Sequence, residues 1–95
     1  MTHQAVRFRV YGRVQGVGFR MWTQSQARAL GIAGWVRNVP DGTVEVVAQV
    51  DSDEKAQLLS LLHEGPPASE VSSIEEAAPE ESQLENIAAN FPILP

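Results

Sequence analysis

The segment IAGWVRNVPDGTVEVVAQV, residues 32–50, predicts two antiparallel strands joined by a tight turn. From Thr43 to Val50 every second residue is valine or alanine, the period-two pattern of a strand with one buried face. Ile32 to Val39 also reads as a strand. Pro40 and Gly42 stand where a type I turn favours proline and glycine. The segment is therefore predicted to form a β-hairpin.

On the N-terminal side of the hairpin, the sequence predicts a strand, a long loop and a helix. From Val6 to Tyr11, apolar residues alternate with arginine and tyrosine, as in a strand with one buried face. Gly12 to Arg20 contains three glycines and exceeds the usual length of a strand-to-helix connection, which suggests a functional role. Good helix formers then run from about Met21 to Leu30 and stop at Gly31.

On the C-terminal side, one helix and two further strands are expected. Asp51 with Glu54 three residues later is typical of a helix-starting capping box, and a leucine-rich stripe follows until a Gly-Pro-Pro motif. A fourth strand is expected between residues 68 and 81, where apolar residues are sparse. A last strand is predicted from Leu84 to Ile93, and because Pro92 cannot donate a hydrogen bond to a ladder, an edge position, a bulge or a frayed end is expected there.

This order of elements predicts an α+β fold. It is the βαββαβ unit of a ferredoxin-like α/β sandwich, in which two helices cover one face of an antiparallel sheet of four to five strands. Neither an internal repeat nor a linker is visible in residues 1–95, so a single domain over the whole chain is expected, in keeping with its length.

Composition and charge narrow the possible functions. The chain has no cysteine, which excludes a disulfide framework and a cysteine nucleophile. No signal segment is visible and no apolar run approaches the roughly 18 residues of a membrane span, so a cytoplasmic location without membrane contact is expected. Residues 1–50 carry six arginines and two acids, whereas residues 51–95 carry one lysine and ten acids. Because arginine suits two-pronged contact with phosphate or carboxylate, an anionic ligand is predicted for the N-terminal half.

The glycine-rich loop is a candidate anion site. It is neither a Walker loop, because no Gly-Lys-Ser/Thr follows, nor a dinucleotide fingerprint, because its glycine spacing differs. Glycines nevertheless allow backbone N–H groups to converge on an anion at a helix N-terminus, where the macrodipole adds partial positive charge. Arg20 is placed to contact the same anion. On these grounds alone, a loop that merely turns the chain is an equal alternative.

Two blocks of sequence resemble the signature of the acylphosphatase family. They are Gly12-Arg13-Val14-Gln15-Gly16-Val17-Gly18-Phe19-Arg20 and Gly34-Trp35-Val36-Arg37-Asn38-Val39-Pro40-Asp41-Gly42-Thr43-Val44-Glu45, and the resemblance covers about residues 6–67. It implies the ferredoxin-like sandwich and the hydrolysis of acyl phosphates to carboxylate and inorganic phosphate, without metal or organic cofactor. It also implies that Arg20 binds the phosphate and that Asn38 orients the attacking water. The implied phosphate-binding loop comprises Gln15, Gly16, Val17, Gly18, Phe19 and Arg20, and Gly12 and Thr23 are implied to support the site.

The resemblance implies a mechanism that needs no protein base. Arg20 stays protonated and the amide of Asn38 only donates and accepts hydrogen bonds, so the proton of the water would pass to a phosphate oxygen of the substrate. The implied partners are a small-molecule acyl phosphate and inorganic phosphate as product and inhibitor, with no nucleic acid, and a monomer is expected. His3 and His63 have no partner histidine at ligand spacing, so no metal site is expected. Arg13 and Arg37 are interpreted as solvent-facing, and Trp22 and Trp35 as packing residues.

Three alternatives stay open: a carbamoyl-phosphate-acting maturation domain, an RNA-binding module and a non-catalytic scaffold. The first is open because acylphosphatase-like domains also occur inside larger proteins. The second is open because Arg7, Arg9 and Tyr11 are expected on the open face of the sheet, although Thr43 to Val50 has no aromatic residue for base stacking. The third is open because fold alone does not imply activity.

Overall fold

The computed structural model describes residues 2–95, and its elements follow the predicted order as far as the fourth strand. They are β1 (Gln4–Arg13), α1 (Phe19–Ala29), β2 (Ala33–Asn38), β3 (Val44–Val50), α2 (Ser52–Glu64), β4 (Glu70–Ala77) and the single-turn helix α3 (Glu81–Leu84). The predicted α+β class and the βαββαβ order are therefore confirmed. Met1, which the predicted domain includes, lies outside the described residues.

The four strands form one antiparallel sheet in the order β2-β3-β1-β4. On one face, Phe8 of β1 pairs with Val46 of β3, which pairs with Val36 of β2, and all three are fully buried. The neighbouring row on the opposite face consists of Arg9, Glu45 and Arg37. The sheet therefore separates an apolar face from a charged one, as strand alternation requires.

Helices α1 and α2 cover the apolar face. Ala27 of α1 and Leu58 and Leu62 of α2 are fully buried in the same core cluster as the strand residues. The predicted start of α2 is confirmed, because Asp51 Oδ1 accepts from Glu54 N at 2.8 Å and Glu54 Oε1 accepts from Asp51 N at 3.0 Å. This capping box satisfies two backbone donors at the helix N-terminus.

Helix α1 begins at Phe19, earlier than the predicted Met21. Gly18 precedes it in the left-handed conformation, with φ 80 and ψ 15, and turns the chain into the helix. The ring of Phe19 is buried and lies 5.9 Å from that of Trp22, so packing holds the first turn in place. As a consequence, Arg20 belongs to the first turn of α1 and not to the loop before it.

The predicted last strand is wrong. After α3, the tail (residues 85–95) makes only two isolated bridges to β2, Gly34 with Ala88 and Val36 with Ile93. Val36 N donates to Pro92 O at 3.1 Å, but a longer parallel ladder would need an N–H at residue 92, which proline lacks. The carbonyl of Gly34 instead accepts from Ala88 N at 3.3 Å. The edge position expected for Pro92 is thus confirmed, whereas a regular strand is not formed.

Phe91 anchors the tail to the rest of the fold. It is fully buried in the core cluster and adopts a φ of 49, which is unusual for a residue other than glycine. Its ring lies so close to Gly34 that an added Cβ there would stand 2.5 Å from Phe91 Cε2. From α1, Gln24 Nε2 donates to Phe91 O at 3.0 Å and Arg28 Nε to Asn90 O at 2.6 Å.

Candidate active site

The loop of residues 14–18 delivers the chain to the N-terminus of α1. Gly16 and Gly18 have φ values of 74 and 80, a region that side-chain-bearing residues rarely adopt. Gly18 is the N-cap and has no side chain to accept hydrogen bonds from the first turn, which also contains no acid. The first N–H groups of a helix have no intrahelical partner, and the macrodipole favours negative charge there. This helix end therefore leaves N–H groups and partial positive charge available to an anion.

A cavity of about 180 Å³ lies against this loop. It is lined by Gly16, Gly18 and Arg20 together with the apolar side chains of Val14, Phe19, Met21 and Ile93. Met21 is 71% exposed, and among the large apolar residues that the structure describes only Leu84 is also exposed. The cavity therefore combines an anion-binding wall with an apolar wall. Sequence reasoning missed the apolar wall, because Ile93 reaches it only through the folded tail.

Arg20 extends from the first turn of α1 into solvent at the rim of this cavity. Within residues 2–95, no carboxylate lies at salt-bridge distance from its guanidinium, in contrast to Arg7, Arg9 and Arg37. Its charge is thus not neutralised inside the protein. Arg20 is therefore positioned to bind an anion held at the helix N-terminus.

Asn38 and Thr23 each carry a buried oxygen atom without a hydrogen-bond partner. Asn38 ends β2, and by alternation with Val36 it lies on the face that α1 and α2 cover. Thr23 is a fully buried residue of α1, which packs on β2. Neither Asn38 Oδ1 nor Thr23 Oγ1 bonds to any residue that the structure describes. Leaving such an atom unsatisfied costs about 1 to 3 kcal/mol, so each is a candidate to accept a hydrogen bond from water, and the Thr23 hydroxyl can also donate one.

The turn after Asn38 is held by Asp41. Gly42 N donates to Val39 O at 3.0 Å and Val39 N to Thr43 O at 2.9 Å, which confirms the predicted hairpin. Asp41 Oδ1 accepts from Thr43 Oγ1 at 2.6 Å and from Thr43 N at 3.0 Å. The hydrogen bond from the Thr43 hydroxyl, and to a lesser extent that from the Thr43 N–H, holds the pKa of Asp41 below its ordinary value of 3.8. The ionised carboxylate thus stiffens the turn beside Asn38.

Gln15 lies in the loop, but its side chain points to the hairpin. Its Nε2 donates to Val39 O at 2.8 Å and to Thr43 O at 2.9 Å, so both amide hydrogens are engaged within the protein. Any contact of Gln15 with phosphate therefore has to come from its backbone. Phosphate binding by the backbone of residues 15–20 stays a prediction.

Gly12 shapes the end of β1 that leads into the loop. Between Tyr11 and Gly12 the register with β4 shifts, because Tyr11 pairs with Ser73 and Gly12 with Val71. Gly12 has a φ of 126, and an added Cβ would overlap the carbonyl of Glu70. Only glycine fits this bulge, which gives a physical reason for the supporting role implied for Gly12.

The charged face of the sheet is a separate environment. Glu45 is 1% exposed and accepts from Arg37 Nε at 2.8 Å and from Gln83 Nε2 at 3.0 Å. Arg37 therefore lies away from the glycine loop and pairs internally, whereas Arg13 is exposed as expected. Sequence reasoning missed the burial of Glu45, since the cover comes from the segment around α3.

The same face argues against base stacking. Arg7 and Arg9 approach Glu45 at 3.8 and 3.7 Å, and Tyr11 donates its hydroxyl to Glu75 at 2.6 Å, which raises the pKa of Tyr11. The buried Trp35 donates Nε1 to the Gln83 carbonyl at 2.8 Å, so α3 lies over this part of the sheet. A larger cavity of about 570 Å³ lies here, but Glu45 and Glu80 in its lining offset two of its three arginines, and neither α1 nor α2 begins among its lining residues. The smaller cavity at the loop is therefore the better anion site.

One possible cation-binding group occurs within the described residues, at the N-terminus of α2. The side chains of His3, Asp51 and Glu54 offer ligand atoms within 4.8 Å of one another. The two carboxylates already serve the capping box, and His3 Nε2 lies 3.2 Å from Glu54 Oε1. Capping explains this group without a metal.

In the described part of the chain, no helix has the length and apolarity that a bilayer crossing requires.

Comparison with known proteins finds relatives in sequence and in structure. A model of the acylphosphatase family matches residues 6–93. An acylphosphatase of Rhizobium etli is 48% identical over 92 residues, which cover 96% of this chain and 94% of that protein. An acylphosphatase of Thermococcus kodakarensis is 48% identical over 75 residues, with coverages of 79% and 82%. The crystal structure of acylphosphatase from Bacillus subtilis superposes with a TM-score of 0.78 at 34% identity, covering 98% of this chain and 99% of that one.

Proposed function

The chain belongs to the acylphosphatase family, and from this we propose that it hydrolyses the carboxyl-phosphate bond of acyl phosphates, with Arg20 and Asn38 as its catalytic residues. The products are a carboxylate and inorganic phosphate. The observation that carries the assignment is the buried, unpartnered Asn38 Oδ1 in a structure whose α1 N-terminus is open to an anion. These features support a water position at Asn38 and a phosphate position at the N-terminus of α1.

The phosphoryl group binds at the N-terminus of α1. Backbone N–H groups of loop residues Gln15 to Gly18, and those of Phe19 and Arg20 in the first turn of α1, donate to its oxygens, and the Arg20 side chain contacts the same group. The guanidinium contributes a permanent positive charge because it does not deprotonate in proteins. Positioning and charge stabilisation therefore supply most of the catalysis, as suits a substrate that is already activated.

Asn38 orients the attacking water through its side-chain amide. The water oxygen forms the new bond to phosphorus while the bond from phosphorus to the acyl oxygen breaks, and the carboxylate leaves with that electron pair. Because neither Arg20 nor Asn38 can act as a base, the proton of the water passes to a phosphate oxygen. Thr23, with its buried hydroxyl, supports this water position.

The acyl part of the substrate lies against the apolar wall of the cavity. In an in-line displacement the leaving group departs opposite the attacking water. Met21 and Ile93, which would contact the acyl group, line the cavity, whereas Asn38, which would hold the water, does not. The water and the acyl group therefore approach the phosphate from separate sides. The proposal therefore includes acyl phosphates with apolar acyl groups among the substrates.

Release of inorganic phosphate from benzoyl phosphate, with EDTA present, tests the function. We expect metal-independent turnover with competitive inhibition by inorganic phosphate. Arg20→Gln and Asn38→Ala should each lower kcat/KM by about 10²- to 10³-fold, the usual effect of losing one preorganised donor.

Arg13→Gln is the matched control, since Arg13 is also exposed and close in sequence but does not line the cavity. It should keep kcat/KM within about twofold, because it affects only long-range attraction of the substrate. Near-normal activity of either Arg20→Gln or Asn38→Ala would overturn the assignment. Turnover of carbamoyl phosphate alone would favour the carbamoyl-phosphate alternative.

The remaining parts of the proposal concern the whole chain. We place one acylphosphatase domain over residues 1–95, of which the family match spans residues 6–93. The protein is proposed to act as a cytoplasmic monomer that needs no nucleic-acid partner. Light scattering of the purified chain at catalytic concentrations tests the monomer.

A further inference from the structure

We propose that the side chain of Gln15 is a positioning residue that holds the phosphate-binding loop in register with Asn38. The inference rests on the proposed function, because it assigns phosphate to the loop and water to Asn38. It concerns the side chain of Gln15, which contacts no substrate, and not the backbone that the loop offers to phosphate.

The two halves of the proposed site are not joined directly by the sheet. Strand β1 leads into the loop and β2 ends at Asn38, but β3 lies between them in the order β2-β3-β1-β4. The ladder between β1 and β3 ends at the pair Val10 and Val44, before the loop begins. No backbone hydrogen bond among residues 2–95 joins loop residues 14–18 to hairpin residues 39–43.

Gln15 bridges this gap with both hydrogens of one amide. Its Nε2 donates to Val39 O at 2.8 Å and to Thr43 O at 2.9 Å, and Val39 directly follows Asn38. The partners are backbone atoms on both sides of a closed turn, so they move with the hairpin and not with a flexible side chain. The two bonds are partly buried, where competition from water is reduced.

The position of the water relative to the phosphorus depends on this connection. A misplacement of about 1 Å can cost about 100-fold in rate, even when the chemical groups are intact. The phosphate nest is formed by the left-handed Gly16 and Gly18 together with the N-terminus of α1. Loss of the two Gln15 hydrogen bonds would therefore leave it in place. Gln15 is therefore expected to affect kcat more than the binding of phosphate.

Gln15→Met tests the inference, because methionine has a similar length but no donor. We expect kcat on benzoyl phosphate to fall about 10- to 100-fold. KM and the inhibition constant of inorganic phosphate should change less than about threefold, because the phosphate nest is kept. Should Gln15→Met fail to fold, Gln15→Glu is measured instead; its ionised carboxylate has the same size but cannot donate to the carbonyls.

Gln24→Met is the matched control. Gln24 also uses Nε2 to bridge two elements, donating to Phe91 O at 3.0 Å. Because it removes one hydrogen bond and Gln15→Met removes two, it should lower the thermal midpoint by no more than Gln15→Met does, while leaving kcat within twofold. An equal fall of kcat in both variants would overturn the inference, since it would indicate a general loss of stability.

A double-mutant cycle separates this inference from the proposed function. If Gln15 acts by placing Asn38, then Gln15→Met should have less than about a threefold effect on kcat in the Asn38→Ala background. Full additivity of the two substitutions would overturn the inference but leave the proposed function intact. An Asn38→Ala enzyme of normal activity would overturn the proposed function itself.

Discussion

Arg20 and Asn38 divide the proposed chemistry between a permanent charge and an amide. Arg20 is not neutralised by a neighbouring acid in the described residues, and the oxygen of Asn38 is buried without a partner. Both groups therefore gain hydrogen bonds when ligands bind: the guanidinium of Arg20 from phosphate, and the oxygen of Asn38 from water. The pair therefore fits catalysis by positioning and charge stabilisation better than acid–base catalysis.

Met21 is the residue expected to influence the choice of acyl group. It is 71% exposed and lines the loop cavity directly after Arg20. Met21→Ser should lower kcat/KM for benzoyl phosphate by about 10-fold, because a small apolar contact contributes about that much discrimination. Acetyl phosphate, which reaches less of this wall, should be hydrolysed almost as before.

Leu84→Ser provides the comparison for Met21→Ser. Leu84 is 41% exposed on α3 and does not line the loop cavity. The ratio of the two substrates' kcat/KM values should stay at the wild-type level in this variant. Equal losses for benzoyl and acetyl phosphate in Met21→Ser would show that Met21 does not select the acyl group.

At the scale of elements, the bulge at Gly12 determines how β1 ends and where the loop begins. The register shift against β4 lies between Tyr11 and Gly12, immediately before the glycine loop. A bulge bends its strand and re-aims the residues that follow it. The orientation of the phosphate loop therefore depends on a strand irregularity outside the loop itself.

Gly12→Ala tests this dependence. The new Cβ would overlap the Glu70 carbonyl and stand 2.8 Å from Ser72 N, and the φ of 126 disfavours any side chain. We expect the free energy of unfolding, measured with urea, to fall by about 3 kcal/mol. Gly31→Ala, with a φ of 70 but open space around the new Cβ, should cost only about 1 kcal/mol. A smaller loss in Gly12→Ala than in Gly31→Ala would contradict the steric explanation.

At the scale of the whole molecule, the tail closes the fold around the site. It leaves α3 on the charged face, returns to the edge of β2 and inserts Phe91 into the core between the sheet and α1. This path also brings Ile93 to the loop cavity. The C-terminal residues thus contribute both to the core and to the proposed substrate wall.

Phe91→Ala should show how much of the stability depends on the tail. Removal of a fully buried phenyl ring leaves a cavity and costs about 3 to 5 kcal/mol, a large fraction of the stability of a small domain. We expect the urea midpoint to fall by the corresponding amount with little change in the slope of the transition. Leu84→Ala, on the exposed side of the same region, should stay within about 0.5 kcal/mol of wild type.

Local pattern was enough to predict most of the fold. The strand alternation, the Pro-Asp-Gly turn and the capping box of Asp51 with Glu54 depend on residues close together in the chain, and the structure confirms all three. The family was equally readable, since its two blocks are contiguous segments. The roles of Arg20 and Asn38 came from the resemblance and stay predictions, although the unpartnered Asn38 oxygen agrees with them.

Contacts between distant segments decided the rest. The sequence showed that Pro92 lacks an N–H, but not that this gap falls where the carbonyl of Gly34 needs a donor, nor that Phe91 is buried in the core. Glu45 is buried because α3 crosses the sheet above it, and the amide of Gln15 bonds to the hairpin although β3 separates β1 from β2. The sequence by itself determined the elements and the chemical groups, whereas the tertiary structure alone decided how the anion loop, Asn38 and the apolar wall are arranged, because that arrangement depends on packing across the sheet.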